Sequence, residues 1–325
     1  MAKILVTGGA GYVGSACCAR LLEKGHQVEV VDDLSTGHAD CVPKGVLFHR
    51  ADIGESDAIS LILSGSAFDV IFHFAAKAIV VESVSDPKSY FETNVTKSLV
   101  MMEAMRAYGV KNLVLSSTAA TYGNPVRTPI EEDDAKFPVN PYGETKLMLE
   151  RMLAAYAKAY GWSVMALRYF NACGADKDWG ERHNPETHVI PLLMQSASGR
   201  RGAFNIYGTD YSTPDGTCLR DYIHVLDIAE AHILGLQKMG TPGFSAYNIG
   251  TGKSHSVKEL ITTAEKVTGK KIPVQIAARR DGDPAELCAS PQKLMKEFGW
   301  KPAHSRLEDV LAGAWKWEQR LSASQ

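Results

Sequence analysis

Short runs of apolar and β-branched residues recur along the first half of the chain, at residues 4–6, 28–31, 46–48, 70–72, 113–115 and 164–167. Their hydrophobicity is continuous rather than alternating, so each run predicts a strand covered on both faces. Stretches of helical periodicity lie between them, the first carried by Ala16, Ala19 and Leu22 and ending at Gly25. Strand and helix in alternation predict a doubly wound α/β layout with a parallel sheet. After Phe170 the spacing loosens, and the Gly, Asp, Asn and Pro-rich stretch 174–185 predicts a long loop leading into a smaller α/β lobe. Residues 221–250 again read as a helix followed by a buried strand, so the chain is expected to return to the first sheet. The expected division is 1–170 for the first domain and 171–325 for the lobe, with 221–250 returning to the first domain.

Two helical patterns carry more apolar surface than one sheet requires. Residues 90–108 show one stripe of Phe91, Val95, Leu99 and Met102 and a second of Met101, Met105 and Tyr108. The helix after Tyr142 repeats this with Met148, Met152 and Ala155 beside Leu149, Leu153 and Tyr156. One stripe covers the sheet; the other predicts a partner, and a homodimer built on these helices is expected.

The first strand runs into Gly8-Gly9-Ala10-Gly11-Tyr12-Val13-Gly14, and a helix follows at once. Glycines in a strand-turn-helix context permit a tight turn and bring the backbone close to a pyrophosphate seated on the positive helix end. The second strand ends at Asp32-Asp33, about twenty residues further on, where a carboxylate accepts hydrogen bonds from ribose hydroxyls and repels a 2′-phosphate. The predicted cofactor is NAD rather than NADP. Asp52 and Ile53 follow the third strand on the adenine side, and Phe74, Ala75 and Ala76 follow the fourth on the nicotinamide side. Gly252-Lys253-Ser254 resembles the end of a P-loop, yet Tyr247 stands where that motif needs a glycine; Ser256 and Glu259 make it a helix-capping box instead.

Composition narrows the function further. Of 325 residues, 45% are hydrophobic and 22% charged, ordinary globular values, and the formal charge of −2 gives no electrostatic footprint for nucleic acid. No apolar run reaches membrane-spanning length, and the N-terminus turns into glycines too early for a signal peptide. The six cysteines include no C-x-x-C pair and are expected to be reduced thiols in a cytoplasmic protein. There is no H-E-x-x-H motif, so no catalytic metal is expected, and no G-x-S-x-G elbow of a hydrolase.

Tyr142-Gly143-Glu144-Thr145-Lys146 follows Pro141 at a predicted helix start, which puts Tyr142 and Lys146 on one helix face. A free tyrosine has a pKa of about 10 and is a poor base at neutral pH unless positive charge favours the phenolate. Lys146 and an oxidised nicotinamide are expected to supply that charge. Ser116-Ser117-Thr118 closes the fifth strand, and Thr118 is placed to hydrogen-bond a reacting oxygen.

Together with Glu82-Ser83, Asn94-Val95, residues 116–123, Arg168-Tyr169-Phe170-Asn171, residues 216–225 and 279–283, these motifs resemble the UDP-galactose 4-epimerase family of the extended short-chain dehydrogenase (Rossmann) type, nearly end to end. The resemblance implies Thr118, Tyr142 and Lys146 as catalytic residues. It implies cofactor contacts from the glycine turn (Gly8, Gly11, Tyr12, Val13, Gly14), from Asn94, Ser116 and Tyr169, and from Tyr142 and Lys146 themselves. For a UDP-sugar it implies Asn171, Arg220, Arg280 and Asp283, with uracil on the backbone around Asn205 and Tyr207. His188 and Val189 are expected at the sugar or diphosphate, or else His188 is an ordinary loop histidine. The family commonly has serine in place of Thr118, and often a lysine where this chain has Ala78, one position after Lys77. Leu287 stands in the sugar pocket where members carry tyrosine or a small residue, so some activity on N-acetylated sugars is expected beside UDP-glucose.

The implied reaction interconverts UDP-glucose and UDP-galactose through a 4-keto sugar, with hydride lent to NAD and returned. Related dehydratases carry an acid just after the strand-end hydroxyl, where this chain has Ala119-Ala120. Two alternatives stay open: a 4-epimerase of another UDP-sugar (N-acetylglucosamine, or xylose and arabinose), and a non-catalytic dinucleotide sensor, whose expected mark is loss of the Tyr or Lys.

Overall fold

The computed structural model describes residues 1–176, 179–280 and 283–323. In chain order its elements are β1 (Lys3–Thr7), α1 (Tyr12–Glu23), β2 (Gln27–Asp32), β3 (Leu47–Arg50), α2 (Ser56–Gly65), β4 (Val70–His73), α3 (Val80–Ser85), α4 (Pro87–Phe91), α5 (Ser98–Ala107), β5 (Asn112–Thr118), α6 (Pro141–Tyr160) and β6 (Ser163–Tyr169). There follow β7 (Asn171–Cys173), α7 (Val189–Ser198), β8 (Phe204–Tyr207), β9 (Leu219–His224), α8 (Val225–Leu234), β10 (Gly243–Ile249), β11 (Ser254–Ser256), α9 (Val257–Thr268), β12 (Val274–Ala277), β13 (Glu286–Leu287), α10 (Gln292–Phe298) and α11 (Leu307–Ala323). The chain divides into two compact units, one of residues 1–123, 135–169 and 228–247, the other of 124–134, 170–227 and 248–325.

Unit one is built on a seven-stranded sheet in the order β10-β6-β5-β4-β1-β2-β3, the doubly wound arrangement that the apolar runs predict. The pairings from β3 across to β6 are parallel. Val6, Val30 and Phe72 are wholly buried, which is why their strands read as unbroken hydrophobic runs. The strand order reverses between β1 and β4, and in such sheets ligands bind outside the carboxyl ends of the strands at that switch point. Gly8 follows one of these strands and Phe74 the other.

The single helix expected over 90–108 is interrupted. Residues Glu92–Lys97 form a π-helical segment between α4 and α5. Buried Asn94 lies in it, clamped by its side-chain amide to Lys77 and Thr145. Met101, Met102 and Met105 are all buried in the unit's own core while Leu99 and Tyr108 are exposed, so each expected stripe is divided between core and surface. On α6, Leu149 and Leu153 are buried while Met148 and Met152 are half-buried and Ala155 exposed.

Unit two holds a small sheet with β9 between β11 and β13, β7 also pairing with β9, and a separate parallel pair of β8 with β12. Its core gathers Ile190, Leu193 and Met194 of α7, Leu260 of α9 and Val310 and Leu311 of α11. Two boundaries differ from the sequence reading. Residues 219–224 form β9 rather than the start of a helix, because Asp221 is buried and accepts hydrogen bonds from the backbone N–H groups of Thr251 (2.8 Å), Gly252 (3.0 Å) and Ala289 (3.2 Å), which tie it into unit two. Residues 124–134 also belong to unit two: Ile130 bridges Ala289, and the Asn248 side chain donates to the Ile130 carbonyl (2.9 Å). No helix among the described residues is long and apolar enough to cross a membrane.

Candidate active site

The glycine turn closes on itself by backbone contact. A Cβ on Gly14 would lie 2.2 Å from the Gly8 carbonyl oxygen, and one on Gly8, whose φ is +73°, would lie 2.5 Å from the Ala75 nitrogen. Only glycine fits either place. Gly11 is the N-cap of α1 and offers no side chain to cap it; Tyr12, Val13 and Gly14 form the first turn. Asp32 ends β2 and points back at the turn, accepting from Ala10 N–H (3.0 Å) and Leu34 N–H (2.9 Å), while burial raises its pKa. Leu34 is held at φ 62°, unusual for a non-glycine residue. Asp33 is more exposed and accepts from Ser35 N–H at 2.8 Å.

Several residues expected at the cofactor are engaged within the protein. Asp52 pairs with Lys97, and Ile53 is buried in the core. Asn94 accepts from Lys77 N–H (2.8 Å) and donates to the Lys77 carbonyl and to Thr145 Oγ1 (both 3.0 Å), so both amide hydrogens are spent on fixing the loop after β4 to α6. Phe74 stacks against His232 with ring centroids 4.5 Å apart, and Ala75 and Ala76 continue that loop. Lys77 Nζ is held by Glu82 (2.9 Å) and Ser89 (3.2 Å).

Thr118, Tyr142 and Lys146 meet at the carboxyl edge of the sheet. Asn140 caps α6 by accepting from Gly143 N–H (2.9 Å), and Pro141 begins it. A Cβ on Gly143 would lie 2.5 Å from the Ala120 carbonyl, so the first turn of α6 presses directly on the loop after β5. That approach brings the Tyr142 phenol into hydrogen bond with Thr118, whose Oγ1 also accepts from Ala120 N–H (3.1 Å). Burial raises the Tyr142 pKa, and the Thr118 hydrogen bond opposes it. Lys146 is buried, donates to the Ser116 carbonyl (2.9 Å), and has its pKa lowered by burial to about 8 against the pull of Glu150. Tyr169 bonds His232 Nε2 at 2.7 Å.

Beneath this set lies a buried network that the motif reading passed over. Glu150 is one turn beyond Lys146 on α6, accepts from Ser117 Oγ (2.6 Å), and forms a two-bond pair with Arg168, which also donates to Tyr122 (2.8 Å). The four-residue spacing from Lys146 was the available signal.

In unit two, Arg220 projects from β9, pairs with Asp283 and donates to the Pro284 carbonyl (2.9 Å). Leu287 on β13 is in register with Arg220, and Asn171 on β7 donates to the Asp221 carbonyl (2.9 Å). Asn205 and Tyr207 lie on β8, with the Arg280 guanidinium 3.9 Å from the Tyr207 ring centroid. His188 is the N-cap of α7 and Val189 its first residue; His188 Nδ1 bonds Glu186 at 2.9 Å. Of the 279–283 motif, Asp281 and Gly282 lie outside the described residues.

A glycine turn at the switch point of a doubly wound sheet, with an acid ending β2 and a Tyr-Lys pair on α6, defines a dinucleotide-dependent enzyme of the short-chain dehydrogenase type. The chain matches the NAD dependent epimerase/dehydratase family over residues 4–250, and it belongs to that family. It is similar to the UDP-glucose 4-epimerase of Corynebacterium glutamicum, 46% identical over 98% of this chain and 96% of that one. Among solved structures it resembles UDP-glucose 4-epimerase from Brucella ovis in complex with NAD, with TM-score 0.95 and 43% identity over 98% of each chain. It also resembles UDP-glucose-4-epimerase from Stenotrophomonas maltophila with bound NAD and formylated UDP-arabinopyranose, with TM-score 0.96 and 38% identity over the whole of both chains.

Proposed function

We propose that the protein is a UDP-glucose 4-epimerase that keeps NAD bound through turnover. The observation that carries the reading is the meeting of Thr118, Tyr142 and Lys146 at one sheet edge, with Ala119 and Ala120 filling the place where a dehydratase needs an acid. The turn fits a dinucleotide: glycines leave its backbone bare where a Cβ would collide, and the α1 N-terminus supplies positive potential for a pyrophosphate. Gly8, Gly11, Tyr12, Val13 and Gly14 would hold the diphosphate, Asp32 and Asp33 the adenosine ribose, Ile53 the adenine, and Phe74, Ala75, Ala76, Ser116 and Tyr169 the nicotinamide half. Asp52 serves the adenine side by holding Lys97, and Asn94 the nicotinamide side by holding the loop after β4.

NAD held at the turn would supply the acceptor for a hydride from the sugar and the donor for its return. Tyr142 takes the proton of the C4 hydroxyl and gives it back. Thr118 holds that oxygen in line, and Lys146, fixed by Ser116, lends positive charge to a phenol that burial alone leaves a weak base. In unit two, Asn171, His188, Val189, Asn205, Tyr207, Arg220, Arg280 and Asp283 take the UDP, with Leu287 at the sugar. Affinity placed in the nucleotide leaves the 4-keto sugar loosely held, as its rotation requires. The two relatives solved with NAD and the 46% identical epimerase support the same activity. We further read the protein as a cytoplasmic homodimer, paired through the half-exposed faces of α5 and α6. The test is to add UDP-galactose to the purified protein and follow UDP-glucose formation. Conversion without added cofactor is expected; binding with no conversion would leave a sensor.

A further inference from the structure

Three side chains of the loop that leads into α7 converge, and of them only His188 enters the epimerase reading. One ligand atom each from Glu181, His183 and His188 lies within 4.8 Å of the others. His183 Nδ1 bonds Glu181 Oε1, and His188 Nδ1 sits 3.7 Å from Glu181 Oε2 and 2.9 Å from Glu186 Oε1. Both carboxylates are buried, their side chains 8% and 7% exposed. Each is aimed by the backbone: Arg182 N–H (2.9 Å) and His183 N–H (3.2 Å) donate to Glu181 Oε1, Thr187 N–H and His188 N–H (both 2.7 Å) to Glu186 Oε1. The segment is anchored from far along the chain, since Gly180 lies flush against the Trp317 indole and Trp317 Nε1 donates to the Glu181 carbonyl oxygen (3.0 Å).

Two buried carboxylates need two positive charges. Protons on both imidazoles would supply them, and so would one divalent cation between neutral rings. We propose that the loop is a structural site for one zinc-class divalent cation, ligated by Glu181, His183 and His188 with a water molecule completing the set and Glu186 beside His188. Mixed imidazole and carboxylate donors suit zinc, and oriented ligands are what such sites show. The physical role follows from where the site lies. Among the described residues of 174–188 there is no helix or strand, and a stretch of that length inside a compact unit calls for a tether. Ligation through Nδ1 leaves His188 Nε2 available to the diphosphate, so the cation rests on chemistry separate from hydride transfer.

The experiment loads the full-length protein with zinc, removes excess metal by gel filtration, and measures bound zinc by mass spectrometry. About one zinc per chain is expected. Both His183→Asn and Glu181→Gln should lose it, and zinc should raise the Tm of the wild type but of neither variant. Cobalt substitution gives a measurement that needs no variant: bound cobalt should show the visible absorption of a tetrahedral nitrogen and oxygen site. Wild-type protein that retains no zinc and gives no such absorption would overturn the site in favour of a carboxylate–imidazolium cluster. Equal zinc in wild type and variants would place the metal elsewhere and overturn it too. An inactive epimerase that still binds zinc at these residues separates failure of the functional reading from failure of this one.

Discussion

Replacing Tyr142 by phenylalanine removes one oxygen from the site and leaves the ring, the helix cap at Asn140 and the Lys146–Ser116 bond in place. Turnover should fall by about 10²- to 10⁴-fold, the range for loss of a general acid and base, while affinity for UDP stays the same. Stopped assays beside UDP titration read the two apart, and near-normal turnover would reject Tyr142 as the base. Leu287 tests the sugar. A tyrosine there extends further from β13, beside Arg220, and should lower kcat/KM for UDP-N-acetylglucosamine more than for UDP-glucose, because the acetamido group needs the room. An unchanged ratio of the two specificity constants would remove Leu287 from the pocket.

At the scale of elements, α6 carries catalysis on one turn and its support on the next. Glu150→Gln leaves Arg168 buried without its countercharge, a change that typically costs about 3–5 kcal/mol, and the Tm should drop accordingly. Glu150 also draws the Lys146 pKa upward, so its loss should move the alkaline limb of the activity profile to lower pH. A variant with lower Tm and an unmoved limb would make Glu150 structural only. The pairing of α5 and α6 is read by light scattering: a dimer mass at micromolar concentration is expected, and Leu99→Glu should give a monomer.

The order of the first sheet was legible because parallel strands buried on both faces leave unbroken apolar runs, and the catalytic pair because a helix repeats every four residues or so. The π-helical segment was not, since it depends on Asn94 finding Lys77 and Thr145, contacts that no local pattern encodes. Strand β9 escaped for the same reason: Asp221 reads as a polar surface residue until Thr251, Gly252 and Ala289 close round it. A search for H-E-x-x-H likewise passes over Glu181, His183 and His188, whose spacing suits a loop rather than a helix.

At the scale of the whole molecule, two buried histidines contribute most visibly to acid sensitivity. His73, between Thr7 (2.7 Å) and Ser98 (3.0 Å), and His232 both have their pKa lowered by burial from 6.5 to about 3. Between those values the unfolded chain binds protons that the folded chain refuses, so stability falls as pH drops from 6.5 towards 3. Thermal melts across that interval should show the Tm decline beginning near neutrality, and His232→Gln should flatten it; a melt independent of pH down to about 5 would contradict the neutral assignment. The division into units has a consequence for the growing polypeptide. Unit one is not complete when its sixth strand has been made, because its edge strand β10 arrives more than seventy residues later, and unit two needs residues 124–134 made long before the rest of it. A ribosome releasing the chain from its N-terminus therefore leaves the backbone edge of β6 unpaired for the whole of that interval. A nascent chain stalled far enough past residue 170 for β6 to have emerged from the exit tunnel should be captured by chaperones and cut by proteases, whereas one stalled far enough past residue 249 for β10 to have emerged as well should begin to resist both.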